Sequence, residues 1–331
     1  MTTKKVLGIG NALVDNMIRL EDETLLKLLK LPKGSMQLVD TVRSEEVASS
    51  SAHLNCTRSS GGSASNTIHG LARLGVETAF IGHVGEDETG EFFKKDMIAA
   101  GIKPLLFSSK TASGIAHAFV TADGERTFAT CLGAAIELSE SHLNEALFAG
   151  YDYFYIEGYL VQNKALLKKA IELAAKSGAK VAIDLASYNV VEDQREFLLE
   201  LLNNKTIDLV FANEEEAKAL TGLDPHQALD FIADRCETAI VKTGKEGSLI
   251  KHKAEVYPIK AIKANAIDTT GAGDMYAAGF LYGISKQLSL TQAGKIGSLL
   301  AGHVIEVVGA KMSQEQWSTI KQEIEQIEAN L

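Results

Sequence analysis

Short, unbroken apolar runs alternate with helical periods along almost the whole chain, and this alternation limits the fold more than any other feature. KKVLGIG (4–10), ETAFIG (77–82), YDYFYIEG (151–158), KVAIDL (180–185), IDLVFAN (207–213), TAIVKTG (238–244) and GSLIKH (247–252) read as strands. SASNTIHGLARLG (63–75), ETGEFFKKDMIAAG (88–101) and NKALLKKAIELAAKSG (163–178) carry helical spacing. Each of these ends on a glycine suited to the left-handed position just past a helix. Three more helices occupy the last sixty residues. Strands that are apolar on both faces belong in a mainly parallel sheet with helices on either side. The expected fold is therefore α/β, a three-layer α/β/α sandwich.

Two stretches break the rhythm. LVDNMIRL (13–20) and GSMQLVD (34–40) read as strands with little helix between them, and SGIAHAFVTADGERTFAT (113–130) reads as a hairpin turning near ADGE. Segments from about 13–40 and 102–131 are expected to form a small β-sheet lid inserted into one chain-long unit, residues 1–331. No long linker, internal repeat or low-complexity tract divides the chain.

Composition narrows the function classes. Of 331 residues, 46% are hydrophobic, enough for a sizeable core, and the formal net charge of −10 disfavours binding to a phosphate backbone. Cys56, Cys131 and Cys236 lie far apart with no C-x-x-C pair, which suits a reducing compartment. The first residues lack a long apolar segment, and no run approaches the ~20 residues of a membrane span. A soluble, cytoplasmic protein is expected, with neither nucleic acid nor membrane as partner.

The stretch AIDTTGAGDMYAAGF (266–280) carries the chemistry. A helix start exposes unpaired N–H groups and the positive end of the helix dipole. Bare backbone at Gly271, Ala272 and Gly273 would let an anion approach those amides closely. Asp274 would sit in the first turn, where the dipole favours its ionised form and it would accept a proton or orient a hydroxyl. Positioning, charge stabilisation and a proton acceptor are what phosphoryl transfer requires. A lone G-x-G-D is more often a well-placed acid after a turn; the longer D-T-T-G-A-G-D followed by a small-residue apolar helix is far more specific. Competing motifs are absent. GIGNAL (8–13) has Leu13 where a dinucleotide fingerprint needs its third glycine, no P-loop occurs, and the histidines form no H-E-x-x-H.

DTTGAGDMYAAGF resembles the C-terminal signature of the ribokinase-like (pfkB) family of sugar and nucleoside kinases. GGSASNTIHGLARLG through Gly85 resembles its N-terminal signature, with Ile68 at a position that usually carries a small residue. The resemblance implies a ribokinase-like fold and ATP-dependent transfer to a sugar or nucleoside. It implies Asp274 as catalytic base and the amides of Gly271, Ala272 and Gly273 as an anion hole. Asp15, Gly62 and Asn66 would hold sugar hydroxyls, a task for which a carboxylate provides charge-assisted bonds. Asn213 and Glu216 match the family's N-x-x-E segment, implying a role in arranging Mg²⁺ and phosphates through water. The same spacing is also a helix capping box, and both readings stand. Gly244 and Gly247 would let the chain turn around the nucleotide, Thr243 would hydrogen-bond a phosphate, Asp268 would organise the loop before the anion hole, and Arg126 would reach a phosphoryl group as the lid closes. No direct metal ligand is assigned, and a monovalent cation such as K⁺ has room in this scheme.

Within the family, GIGNALVD, GGSASN and RTFATCLGAA (126–135) look most like adenosine kinases. Leu13, Met36, Phe119 and Phe128 would line a base slot, or form the lid's own core. The alternative acceptor is a free sugar such as ribose or fructose, and a further alternative is a sugar- or nucleoside-binding regulator without catalysis. Monomer and homodimer are both compatible with the sequence.

Overall fold

The computed structural model describes residues 4–123 and 125–329. In chain order the strands are β1 (Val6–Ile9), β2 (Leu13–Arg19), β3 (Met36–Leu38), β4 (Cys56–Gly61), β5 (Thr78–Gly85), β6 (Ile102–Ser109), β7 (Gly114–Val120), β8 (Arg126–Cys131), β9 (Tyr153–Glu157), β10 (Lys180–Asp184), β11 (Leu209–Asn213), β12 (Thr238–Lys242), β13 (Ser248–His252) and β14 (Glu255–Ile259). Nine of them form one sheet in the order β14-β13-β12-β11-β10-β9-β1-β5-β6, and five form a second sheet in the order β3-β8-β7-β2-β4. In the large sheet the β12–β13 and β13–β14 pairs are antiparallel and the others are parallel.

Successive strand residues feed two separate cores, as period-2 geometry demands. Val6 and Phe80 face a core shared with the helices Ser63–Arg73, Glu88–Ala99, Ala272–Ser285, Leu290–Val304 and Gln314–Ala329. Leu7, Ile9, Ala79 and Ile81 face the opposite core, shared with the helices Lys164–Ser177, Arg195–Asn203, Glu214–Thr221 and Pro225–Ala233. Two apolar layers around one sheet produce the expected α/β/α sandwich. The three glycine-ended helices form at Ser63–Arg73, Glu88–Ala99 and Lys164–Ser177, with Gly75, Gly101 and Gly178 all at positive φ.

The small sheet differs from expectation at its edges. Residues 102–109 do not enter it: β6 lies parallel to β5, with Thr78 opposite Ile102, at the edge of the large sheet. Helix Glu88–Ala99 makes β5 and β6 a crossover pair, and such a connection returns the chain to the same sheet. The small sheet instead takes β4, paired antiparallel with β2. Its sequence, CTRSSG, is polar and half exposed, so no apolar alternation announces it. Between the strands at 13–20 and 34–40 lies only the short helix Thr24–Leu28, and a longer helix, Thr41–Ser51, follows β3. Asp40 caps the second by accepting the Arg43 amide at 2.8 Å. The hairpin joining β7 and β8 turns where ADGE predicts, with the Thr121 amide donating to the Glu125 carbonyl at 3.0 Å; Gly124 lies outside the described residues.

Candidate active site

A cavity of about 1820 Å³ opens between the two sheets. Leu13, Met36, Leu38, Ala116, Phe128 and Thr130 face it from the small sheet. The opposite wall is built where strand order in the large sheet reverses, with β5 and β6 on one side of β1 and β9 to β14 on the other. Parallel sheets open a crevice at the carboxyl ends of their strands at such a point. Asn11 follows β1, and Glu157, Asp184, Asn213 and Lys242 close β9, β10, β11 and β12. Glu157 is in register with Asp184, and Asn213 with Lys242. All five line the cavity.

Asp274 enters from the start of helix Ala272–Ser285. Gly271, at φ 77° and ψ 0°, turns the chain into that helix in a left-handed conformation that a side chain would strain. The Ala272 amide donates to the Thr269 carbonyl at a long 3.2 Å. Helix geometry leaves the first-turn amides of Gly273 and Asp274 without carbonyl partners. Asp274 accepts from Ser63 Oγ at 2.7 Å through Oδ1 and from Asn66 Nδ2 at 3.0 Å through Oδ2. Burial pushes its carboxyl up to about 6, against the pull of these two bonds. It is half-buried and faces the cavity.

Asp15, on β2, stands close by. Burial likewise pushes it up to about 6, opposed by the charges of Lys311 and Arg126. No hydrogen bond to its carboxylate is made among the described residues. Gly61 leaves the space that carboxylate fills, since a Cβ there would collide with it. Gly62, at φ 92°, then starts the helix that carries Ser63 and Asn66. Glu157, 1% exposed, ties this corner together. It accepts the Ala64 amide at 3.0 Å and the Asn11 amide and side-chain Nδ2 at 3.2 and 2.7 Å. Burial outweighs these donors and pushes its carboxyl up to about 7.

Farther along the crevice, Asn213 and Glu216 form a complete capping box. The Glu216 amide donates to Asn213 Oδ1 at 2.8 Å, and the Asn213 amide and Nδ2 donate to the Glu216 carboxylate at 2.8 and 2.7 Å. The capping reading therefore holds, and both residues face the cavity as well. Gly244 and Gly247 line it, whereas Thr243 does not; its amide closes the turn by donating to the Gly247 carbonyl at 2.8 Å. Asp268 lies behind the helix start, where Oδ1 accepts the Thr270 amide at 3.0 Å and Oδ2 the Gly309 amide at 2.6 Å. Arg126 is buried in an ion pair with Asp268 and is not among the residues that line the cavity. Phe119 is fully buried on the far side of the small sheet with Ile18, Leu26 and Val47. It belongs to the lid's own core, while Leu13, Met36 and Phe128 belong to the cavity.

The family model for pfkB family carbohydrate kinases matches residues 34–317. The chain belongs to the pfkB family. An adenosine kinase from Sinorhizobium meliloti superposes on this kinase with a TM-score of 0.86 at 35% identity, covering 97% of this chain and 100% of that one. A probable sugar kinase from Rhizobium etli superposes with a TM-score of 0.87 at 34% identity, covering 98% and 99%. An uncharacterized sugar kinase of Archaeoglobus fulgidus is 30% identical over 73% of this chain and 96% of its own length. The protein is thus a sugar or nucleoside kinase, a phosphotransferase with an alcohol acceptor. The family implies ATP, typically with Mg²⁺. No helix among the described residues is long and apolar enough to cross a membrane.

Sequence reasoning did not single out Ser63, Glu157, Asp184 and Lys242, which line the cavity, or Lys311, whose charge acts on Asp15. Ser63 lies within the GGSASN segment itself, and Glu157, Asp184 and Lys242 share a legible signal, a charged residue closing an apolar strand. Lys311 has none. Its Nζ is buried with no hydrogen-bond partner among the described residues. Burial pushes it down to about 8, against the charges of Asp96, Asp15 and Asp274.

Proposed function

We propose that this kinase transfers the ATP γ-phosphoryl group to a primary hydroxyl of a nucleoside, with adenosine the best-fitting acceptor. The observation that carries the reading is the pairing of two cavity-facing carboxylates with separate supports: Asp274 at a helix start, held by Ser63 and Asn66, and Asp15 with no hydrogen-bond partner among the described residues. Asp15 has the free lone pairs to grip vicinal ribose hydroxyls. Asp274 takes the proton of the attacking hydroxyl, and Gly271, Ala272 and Gly273 present the backbone that receives the phosphoryl charge. The turn at Gly244 and Gly247 borders the donor nucleotide. Bound Mg²⁺ would neutralise and orient the phosphates. Asn213 and Glu216 would reach a hydrated ion of this kind through its waters, since Mg²⁺ keeps several waters and takes few protein ligands.

Adenosine is favoured by the apolar wall of Leu13, Met36, Phe128 and Ile136, which suits a planar base. Glu157 favours the second reading, a free sugar, because it adds a carboxylate to the cavity wall in the corner of Asn11, Gly62 and Ser63. ADP release over a panel of nucleosides, pentoses, hexoses and sugar phosphates decides between them. Adenosine should turn over and free ribose should lag; good turnover of ribose or fructose without adenosine would overturn the nucleoside assignment. No turnover of any acceptor would leave the regulator reading.

Asp15→Ala should weaken the acceptor without weakening ATP. Loss of a charged hydrogen-bond partner costs about 1.5–3 kcal/mol, roughly ten- to hundredfold in affinity. Equal loss for both substrates, measured by calorimetry, would place Asp15 outside the acceptor pocket. If a base slot exists, Leu13→Ala and Phe128→Ala should weaken nucleosides more than free sugars.

A further inference from the structure

Lys242 is a charged group that the mechanism above does not use. Its side chain is 14% exposed and lines the cavity at the end of β12. Nζ donates to Asp184 Oδ2 at 2.8 Å. A Cβ placed on Gly273 would stand only 3.1 Å from the same Nζ. The ammonium therefore lies against the first turn of helix Ala272–Ser285, on the glycine that lets an anion approach. Burial works against its charge, but Asp184, Glu216 and Asp274 outweigh burial and hold its pKa above the ordinary lysine value. Those three carboxylates would repel a phosphate, and Lys242 is the cation that reaches the helix start among them.

We propose that Lys242 is a catalytic residue whose ammonium donates to the phosphoryl group in transit, beside the Gly273 amide. The inference rests on the kinase reading. During the step the acceptor oxygen bonds to the γ-phosphorus, and the bond from that phosphorus to the bridging oxygen breaks. ADP leaves with the electron pair, and the hydroxyl proton passes to Asp274. Lys242 keeps its proton throughout. It serves as a fixed charge where the equatorial oxygens gather negative charge, and such preorganised donors act mainly on the transition state. Asp184 holds the ammonium in place and is a positioning residue.

Replacing Lys242 alone would strand the Asp184 carboxylate, so the decisive variant removes both charges, Asp184→Asn/Lys242→Met. Its kcat should fall by about 10²–10³-fold, the usual loss for one transition-state donor. Acceptor KM should stay within about threefold of wild type, the sign of a group that acts in the transition state. Recovery of kcat to within about threefold of wild type would overturn the proposal, since Lys242 would then only neutralise Asp184. Lys242→Arg is the second variant. It retains the pair with Asp184 but displaces the charge, so kcat should fall at least about tenfold at an unchanged melting temperature. Wild-type Arg-variant turnover would also overturn it. Wild-type enzyme assayed alongside separates the two readings: turnover by wild type with no loss in either variant rejects Lys242 alone, and no turnover by wild type rejects the kinase chemistry and this role with it.

Discussion

Asp274→Asn lowers turnover by about 10²–10⁴-fold, the span of general-base catalysis, while ATP binding survives. The amide has nearly the shape of the carboxylate and still offers one oxygen to Ser63 or Asn66, but it cannot take a proton. The pH profile of the wild-type enzyme supplies an independent check. A base pushed up to about 6 is lost as pH falls through that value, so kcat/KM should decline on the acid side of pH 6. Asp15 also lies near 6 and its charge opposes ionisation of Asp274, so this limb belongs to the pair. Stability runs in the other direction. The folded state holds the Asp274 proton more tightly than an ordinary aspartate of 3.8, so its contribution is fully present below that value and is lost as pH rises through about 6. At pH 7–8 the charge is therefore a cost to the fold, and Asp274→Asn should melt no lower than wild type. Near-normal turnover in this variant would reject Asp274 as the base, and a lowered melting temperature would attribute the loss to folding.

Legibility in the sequence followed the strength of the local signal. Buried strands such as 153–157 and 209–213 are apolar up to their closing Glu157 and Asn213 because they sit under helices on both faces, and this identifies a parallel sheet. The Asp274 motif is legible because backbone requirements and chemistry coincide in seven consecutive residues. The edge strand Cys56–Gly61 is not legible, since an edge half exposed to water has no need of apolar alternation. Residues 102–109 illustrate a different loss. Their strand character is evident, but which sheet a strand joins is decided by the helix before it, and sequence proximity to β7 misleads. Phe119 and Phe128 are equally plausible cavity residues by composition. They separate only when the pairing of Ala118 with Phe128 and of Phe119 with Thr127 places them on opposite faces. Arg126 shows the same limit for charge. A hairpin arginine gives no sign that Asp268, far along the chain, will bury it.

That pair carries the second large effect. Asp268→Ala should destabilise the protein by about 3–5 kcal/mol, because removing one member of a buried ion pair leaves the other uncompensated. The Asp268 and Arg126 side chains are only 4% and 8% exposed, so water does little to relieve the stranded guanidinium. The carboxylate also accepts the Thr270 and Gly309 amides, which lie on two different loops. Its removal therefore loosens the turn through Gly271 that aims the helix start, and kcat should fall even at temperatures where the variant remains folded. Arg126→Met combined with Asp268→Ala removes both charges and should recover most of the stability measured by denaturant unfolding. Activity need not recover with it, because the two amides stay without their acceptor. If the single and double variants are equally unstable, the ion pair is not the source of the loss. If the double variant regains full turnover as well as stability, the loop at 268–271 does not depend on Asp268, and the helix start is held by the packing of Gly271 against Ala310 instead.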